Sequence, residues 1–359
     1  MLIIVLVALC LAGTTVALGE LSHHLQTPKS KITDCQMFPS SQIYDGSEVY
    51  IPGPTADLQT IPANFNCVYK IQAPANATDG MYINLTLKNG MKGLNDYIQV
   101  INVDGYPTMY TNRSYQMDQY VIPPGSVISV KVVTKSVYMA SQFSIILNYH
   151  ANKIGPSIPM KPSTQFNFLD LNTLRDGKNF FTSVTFTNSE SIYITFPESN
   201  AGRTFCWNCF VIDGTIDNQT AVYTLENIEN GEITTQSNAV TVLTSVDGFM
   251  GTVLDTWGDA AQNNYISSLA VPNSLTFKTT HPMHTGAIEV VNFNGTGITM
   301  NQLSVQGTAC KAYVLNGPPN NQSQVILDLS TAQIPHTFDL QALSVVSEEC
   351  EISFSVVGS

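Results

Sequence analysis

The feature that most constrains this fold is an alternation of apolar and polar residues with a period of two. In MYINLTLKNG at 81–90, Ile83, Leu85 and Leu87 alternate with more polar residues. A β-strand with one buried face requires this spacing, because successive side chains point to opposite faces. Turn signals such as Pro123-Pro124-Gly125 and Asp213-Gly214 separate the runs, and no stretch shows a capped helical stripe, so the sequence predicts an all-β protein. Similar runs occur at 127–133, 142–150, 183–188, 191–196, 238–245, 274–280, 287–293, 324–329 and 351–357.

Pairs of similar stretches indicate a repeat. Residues 95–105 read NDYIQVINVDG and residues 238–248 read NAVTVLTSVDG, roughly 143 residues apart. NCVYKI at 66–71 returns as NCFVID at 208–213 at nearly the same spacing. Repetition at a fixed spacing is typical of copied structural units, so we predict tandem antiparallel β-sandwiches.

The repeat and the breaks in the strand pattern together predict domain boundaries. A proline-rich linker at 151–163 interrupts the alternation. The C-terminal part of the chain resembles the start of a unit again at CKAYVLNGPP, from Cys310. We therefore expect a first domain at 20–150, a second at 164–293, and a β segment at 294–359 that either completes the second domain or forms part of a third.

The N-terminus and the cysteines predict export. MLIIVLVALCLAGTTVALG at 1–19 contains an apolar run that fits a secretory signal peptide and is too short to span a bilayer. No later segment is long and apolar enough to be a transmembrane helix. An even number of cysteines remains after the signal, which suits an oxidising compartment. They are Cys35, Cys67, Cys206, Cys209, Cys310 and Cys350.

The polar composition agrees with a secreted glycoprotein and excludes nucleic acid as a partner. Only 12% of residues are charged and the net charge is -12, whereas binding a phosphate backbone requires clustered Lys and Arg. Asn-X-Ser/Thr sequons predict N-glycans. They stand at Asn76, Asn84, Asn112, Asn218, Asn294 and Asn321.

The first predicted domain resembles a known family. CVYKIQAP at 67–74, DYIQV at 96–100 and VIPPGSV at 121–127 are similar to the CUB-like domain secreted proteins of nematodes. CUB modules are antiparallel β-sandwiches of jelly-roll type, the architecture that the strand pattern also predicts. The resemblance implies a disulfide between Cys35 and Cys67. It further implies an extracellular role in innate immunity or stress response, with no established enzymatic activity.

The resemblance also raises the question of a calcium site. Many CUB modules hold Ca²⁺ through an early Glu, the Asp that begins a D-Y-x-x-V strand, and a later Asp, and Asp96 matches the second of these. The early strand here lacks the Glu, and Asn238 replaces the carboxylate in the predicted second copy. Asp96 is thus a candidate calcium ligand whose alternative role is to cap a strand. No other cofactor is predicted, and Asp104-Gly105 is predicted as a turn.

The remaining cysteines and the catalytic motifs favour a non-enzymatic chain. Cys206-Trp207-Asn208-Cys209 has the spacing of a zinc or redox pair, with His281 and His284 as further ligands. The simpler assignment joins Cys206 to Cys209 and Cys310 to Cys350. No G-x-S-x-G elbow, His-Glu-x-x-His motif or phosphate loop is present, so no catalytic residue is predicted.

A tyrosine-rich stretch is the candidate ligand surface. The segment 105–120 carries Tyr106, Tyr110, Tyr115 and Tyr120 among polar residues. Tyrosine offers an apolar face and a hydroxyl, which suits contact with sugars or protein surfaces. We therefore predict a secreted protein that binds extracellular glycans or proteins. The alternatives are a structural matrix glycoprotein and a hydrolase whose site the sequence does not reveal.

Overall fold

The computed structural model shows three consecutive β-sandwiches. It describes residues 35, 43–75, 80–170, 181–197, 208–228, 231–245, 251–263, 265–279 and 285–359. The strands that the periodicity predicts are present, so the all-β prediction is confirmed. All three sandwiches lie within one compact unit, Gln36–Ser359.

The first sandwich contains nine strands in two sheets. One sheet has the order β1-β9-β4-β7 with β2 also pairing β9, and the other has the order β3-β8-β5-β6. The rings of Tyr69 on β3 and Phe143 on β9 lie 6.0 Å apart and are fully buried between the sheets. The strands are β1 (Glu48–Ile51), β2 (Gln59–Thr60), β3 (Asn66–Gln72), β4 (Met81–Gly90), β5 (Tyr97–Ile101), β6 (Pro107–Tyr110), β7 (Met117–Ile122), β8 (Val127–Val133) and β9 (Gln142–Ala151).

The second sandwich follows directly and includes part of the predicted linker. Its sheets have the orders β10-β12-β17-β14-β15 and β11-β18-β13-β16, with β10 parallel to β12. A 3-10 turn at Leu225–Asn227 and the short helix α1 at Trp257–Ala260 accompany them. The strands are β10 (Ser157–Pro159), β11 (Asn167–Asp170), β12 (Phe181–Thr187), β13 (Ile192–Thr195), β14 (Phe210–Thr215), β15 (Asn218–Thr224), β16 (Glu232–Thr234), β17 (Ala239–Ser245) and β18 (Gly251–Thr256).

The third sandwich comprises the rest of the chain. Its sheets have the orders β19-β21-β26-β23-β24 and β20-β27-β22-β25, and apolar side chains from both sheets form one core. The strands are β19 (Tyr265–Ala270), β20 (Asn273–Lys278), β21 (Thr285–Val291), β22 (Ile298–Gln306), β23 (Lys311–Asn316), β24 (Gln324–Asp328), β25 (His336–Phe338), β26 (Ala342–Glu348) and β27 (Glu351–Gly358).

The three sandwiches share one topology. Strands β10–β18 of the second sandwich correspond in order to strands β19–β27 of the third, and both sheets have the same strand order in the two sandwiches. The parallel pair β10–β12 corresponds to the parallel pair β19–β21. Strands β1–β9 of the first sandwich correspond in the same way to β10–β18. The exception is β1, which pairs β9, whereas its counterpart β10 pairs β12. The chain is therefore built from three jelly-roll units.

This topology differs from the predicted repeat. Residues 95–105 contain β5, whose counterpart in the second sandwich is β14, whereas residues 238–248 contain β17, the counterpart of β8. Equivalent strands of the second and third sandwiches start roughly 100 residues apart. The expected boundary at residue 293 falls after β21, inside the third sandwich. The pattern misled because short alternating strands resemble one another whatever their position in a sheet.

Two predicted turns have different outcomes. Pro123-Pro124-Gly125 forms the turn between β7 and β8, with Gly125 at a φ of 79° that favours glycine. Asp213 and Gly214 lie instead within β14, where the pairing with β15 shifts register. A β-bulge uses the same residue types as a turn, which explains the misprediction.

Neighbouring sandwiches contact each other through apolar clusters on their outer faces. Tyr82 of β4 packs with Phe210 and Leu243 of the second sandwich. Tyr193 of β13 packs with Ile266 and other residues of the third. The sandwiches are thus joined by packed contacts between sheets.

The described cysteines belong to disulfides. Cys310 and Cys350 are joined, with their Cα atoms 4.8 Å apart. Cys35, Cys67 and Cys209 are each disulfide-bonded, and Cys206 lies outside the described residues. A disulfide at Cys209 leaves no thiolate there for zinc, and the proposed partners His281 and His284 also lie outside the described residues.

In the part of the chain that the structure describes, no helix is long and apolar enough to cross a membrane.

Candidate functional site

A groove of about 930 Å³ lies where the first sandwich borders the second. The outer face of β4 forms one wall, because Ile83, Leu85 and Leu87 point into the core while Asn84 and Thr86 point outward. The edge strands β6 and β7 continue this wall. The start of β14, the end of β15 and the following 3-10 turn supply the opposite wall.

Side-chain amides dominate the polar lining of the groove. Hydroxyl groups of Thr86, Thr108 and Thr224 stand among them. Each amide offers both hydrogen-bond donors and acceptors, so the lining can bind a ligand that presents hydroxyl groups. The amide residues are Asn84, Asn102, Gln119, Asn148, Asn208 and Asn227.

The charge of the groove is negative. Asp118 and Glu226 contribute carboxylates, and among the described residues that line it none is Lys, Arg or His. An anionic ligand needs cationic partners or a cluster of N–H donors to offset repulsion. The lining therefore favours a neutral or cationic polar ligand.

A cluster of hydrogen-bonded side chains connects the edge strands β6 and β7 of the first sandwich beside the groove. The Tyr110 hydroxyl on β6 donates to the Asp118 carboxylate on β7 and also shares a hydrogen bond with the Tyr120 hydroxyl. Burial, followed by the bond to Asp118, raises the pKa of Tyr110 far above its ordinary value. Burial likewise raises the pKa of Tyr120. Both phenols are thus neutral at physiological pH, and the cluster holds Tyr120 in one position.

The structure separates the four predicted tyrosines. Tyr106, 52% exposed, and Tyr120 both line the groove. Tyr110 is only 3% exposed and points into the edge cluster, which corrects its expected contact with ligand. Tyr115 is 84% exposed and is not part of the described groove lining. Strand alternation explains the split: Tyr110 ends β6 with its side chain inward, whereas Tyr106 precedes the strand.

Asp96 fills a structural role. It is buried, and its Oδ1 accepts hydrogen bonds from the backbone N–H groups of Lys135 at 2.7 Å and Ser136 at 2.9 Å. Its Oδ2 accepts a bond of 2.6 Å from the Ser141 hydroxyl. Burial alone raises a carboxyl pKa, but these hydrogen bonds outweigh it and lower the pKa of Asp96. Asp96 therefore anchors the loop between β8 and β9.

The surroundings of Asp96 do not support the calcium hypothesis. Both carboxylate oxygens already have protein donors. Within the described residues there is no group of three or more His, Cys, Asp or Glu side chains that could hold a metal ion. Gly93 carries the sequence signal for this arrangement, because a Cβ there would lie 2.5 Å from Asp96 Oδ2. Protein donors therefore occupy both oxygens of Asp96, the carboxylate that was the candidate ligand.

Asp104 joins the two walls of the groove. Its Oδ1 accepts a bond from the backbone N–H of Tyr106, and Gly105 adopts a φ of 86°, so the predicted turn is present. Its Oδ2 accepts hydrogen bonds from Thr224 at 2.6 Å and from Asn227 at 2.7 Å, both in the second sandwich. The sequence predicted the turn but not the contact.

Asn84 is unlike the other described sequons. Asn112, Asn218, Asn294 and Asn321 are exposed, whereas Asn84 is half-buried and lines the groove. Asn76 lies outside the described residues. The groove residues from the second sandwich, such as Asn208 and Thr224, carry no motif that sequence reasoning could have used.

A known family model matches the segment that forms the first sandwich. Residues 31–153 match the family model of the CUB-like domain. No curated protein matches the chain. The family expected from the resemblance is thus supported at the level of the CUB-like domain, over the segment that contains β1–β9.

The chain is also similar to solved structures. The CUB1-EGF-CUB2 domain of human MASP-1/3 has 12% identity and a TM-score of 0.23, covering 58% of this chain and 98% of that one. The CUB1-EGF-CUB2 domains of rat MASP-1 have 11% identity and a TM-score of 0.22, covering 59% and 99%. A chain of the archaeal Sulfolobus turreted icosahedral virus has 11% identity and a TM-score of 0.25, covering 85% and 91%.

Proposed function

We propose that this chain, which carries a CUB-like domain at residues 31–153, is an extracellular binding protein that holds a glycan in the groove between its first two sandwiches. The observation that carries the proposal is the lining of the groove. Amides and hydroxyls stand beside the exposed ring of Tyr106, without a described cation. CUB-like domains are often extracellular binding modules, which agrees with this reading.

The lining matches the chemistry of a sugar. A sugar ring presents hydroxyls that donate and accept hydrogen bonds, together with an apolar face of C–H groups. Asn102 and Asn227 can bond the hydroxyls, and the Tyr106 ring can cover an apolar face. The volume of about 930 Å³ lies within the range of roughly 300–1,000 Å³ that is usual for ligand sites.

Several features support an extracellular setting. The N-terminal apolar run, the sequons and the even number of cysteines after residue 19 each suit a secreted chain. The resemblance to nematode CUB-like proteins supports a role in innate defence, where a microbial or host glycan is the ligand. A matrix glycoprotein without a ligand is the alternative function, and a hydrolase is a further one. We expect binding without turnover.

Binding of the chain produced without N-glycans to a glycan array and to bacterial surface fractions tests this function. We expect saturable binding that is unchanged by EDTA and that Tyr106→Ala weakens about tenfold, since one lost aromatic contact is worth roughly 1 kcal/mol or more. Tyr115→Ala is the matched control, because Tyr115 is exposed outside the described groove. Equal loss in both variants, or no saturable binding at all, argues against the groove as a ligand site.

A further inference from the structure

The sequon Asn84-Leu85-Thr86 lies on the wall of the groove. Leu85 is fully buried in the core of the first sandwich, and Asn84 and Thr86 both point from the opposite face of β4 into the groove. Any sugar attached to Asn84 must therefore start inside the groove.

The surroundings of Asn84 determine where such a glycan can go. Its register partners on the same sheet are Val121 on β7 and Asn148 on β9. Tyr82, the next residue on this face of β4, is buried against Phe210 of the second sandwich and closes that end. With that end closed, a glycan on Asn84 can extend along the groove, whose lining includes Thr86 and Tyr106.

We propose that Asn84 carries an N-glycan whose first sugars occupy the groove and exclude a free ligand from it. This inference rests on the proposed export and ligand binding. The Asn84 amide nitrogen forms a bond to C1 of a lipid-linked oligosaccharide, whose diphosphate carrier leaves as the amide loses a proton. Attachment precedes closure of the groove, because the unfolded chain exposes the amide fully.

A glycan attached at Asn84 binds in the groove more readily than a free glycan. A group tethered by a short flexible link reaches an effective concentration in the millimolar range. The same amides and hydroxyls then bind the tethered sugar, and a free glycan of equal affinity displaces it only at a concentration above the millimolar range. Removal or absence of the Asn84 glycan opens the site.

Glycan accessibility tests the placement independently of any ligand. The full chain is secreted from a eukaryotic host, and site occupancy is measured by mass spectrometry before and after native treatment with an endoglycosidase. We expect the glycans at Asn112 and Asn218 to be removed, and the glycan at Asn84 to resist until the protein is unfolded. An unmodified Asn84, or release as fast as at Asn112, overturns the inference.

Binding to the glycan array tests exclusion. We expect Asn84→Gln to raise affinity at least tenfold, and the matched control Asn112→Gln to leave it unchanged. Thr86→Val removes the sequon while retaining Asn84, so it replaces Asn84→Gln if that variant misfolds. A protected Asn84 glycan without increased binding in either groove variant overturns exclusion. A protected glycan with no binding by any variant or by the parent chain supports the placement and overturns the proposed ligand function instead.

Discussion

Asp104, in the turn after β5, accepts a hydrogen bond of 2.6 Å from the hydroxyl of Thr224, which lies 120 residues later at the end of β15. Thr224 is buried and Asp104 is half-buried, so the bond is partly shielded from water. It connects the first sandwich to the second at the rim of the groove. The geometry of the groove therefore depends on this contact.

Asp104→Ala is expected to destabilise the chain by about 1–3 kcal/mol, because it leaves Thr224 and Asn227 without their shared charged acceptor. Chemical denaturation measures the loss. Asp339→Asn is the control, since Asp339 is exposed in the third sandwich. A loss no larger than that of the control indicates that the contact adds nothing to stability.

Asp96→Ala is expected to cost about 3 kcal/mol, because three hydrogen bonds to a buried carboxylate are lost together. Ser141→Ala, which removes one of them, should cost about 1 kcal/mol. Neither Ca²⁺ nor EDTA should shift the Tm of the parent chain. A rise in Tm with Ca²⁺ that Asp96→Ala abolishes supports a metal site at Asp96 instead.

The pKa of Asp96 predicts how its contribution to stability changes at acidic pH. Its folded pKa lies below its ordinary value, so the stabilisation is present above that ordinary value and is lost as pH falls through the folded pKa. A pH series of denaturation curves should show acid-induced loss in the parent chain. Asp96→Ala should flatten that part of the curve.

A buried pair of carboxyl groups joins the second and third sandwiches. Asp255 on β18 shares a face with Tyr193, and Glu289 on β21 shares a face with Ala287, both at the interface. Burial raises the pKa of Asp255 to about 7. Burial, then the charge of Asp255, raises the pKa of Glu289 well above its ordinary value. When Glu289 is ionised, neither of its oxygens accepts a hydrogen bond from the described groups. When Glu289 is protonated, its hydroxyl donates a hydrogen bond to Asp255.

This pair predicts that stability falls as pH rises. Folded pKa values above the unfolded ones mean that the stability contributed by the pair is fully present at acidic pH and falls as pH rises above the ordinary carboxyl pKa of about 4. Glu289→Gln keeps a donor to Asp255 without an ionisable proton, so it should flatten this slope in denaturation curves. Asp57→Asn, at an exposed position, should leave the slope unchanged. A parent chain equally stable at about pH 5 and pH 8 contradicts the prediction.

The disulfide between Cys310 and Cys350 is expected to stabilise the third sandwich. It closes a separation of 40 residues, for which loop-closure entropy corresponds to about 4 kcal/mol. Cys310→Ala with Cys350→Ala should lower the free energy of unfolding by about this amount in denaturant titrations. Reduction of the parent chain should lower it at least as much. An unchanged midpoint in the double variant shows that the link contributes no stability.

Local pattern predicted the strands well, and their arrangement less so. The alternation around Ile83, Leu85 and Leu87 predicted β4 and its buried face, because a single strand determines which side chains share a side. The 95–105 and 238–248 stretches share a length and an ending, yet they contain topologically different strands. Hydrogen-bond partners are chosen across the sheet, and a period of two carries no label for position within it.

The sequence by itself determined the all-β class, the buried faces of the strands, the turn at Pro123-Pro124-Gly125 and the CUB-like character of the first unit. Only the tertiary structure decided that there are three units of one topology, that Asp96 anchors a loop, and that Asn84 and Thr224 face one groove. The physical reason is sequence separation. Strand character follows from neighbouring residues, whereas the groove depends on contacts such as Asp104 with Thr224, which no local pattern encodes.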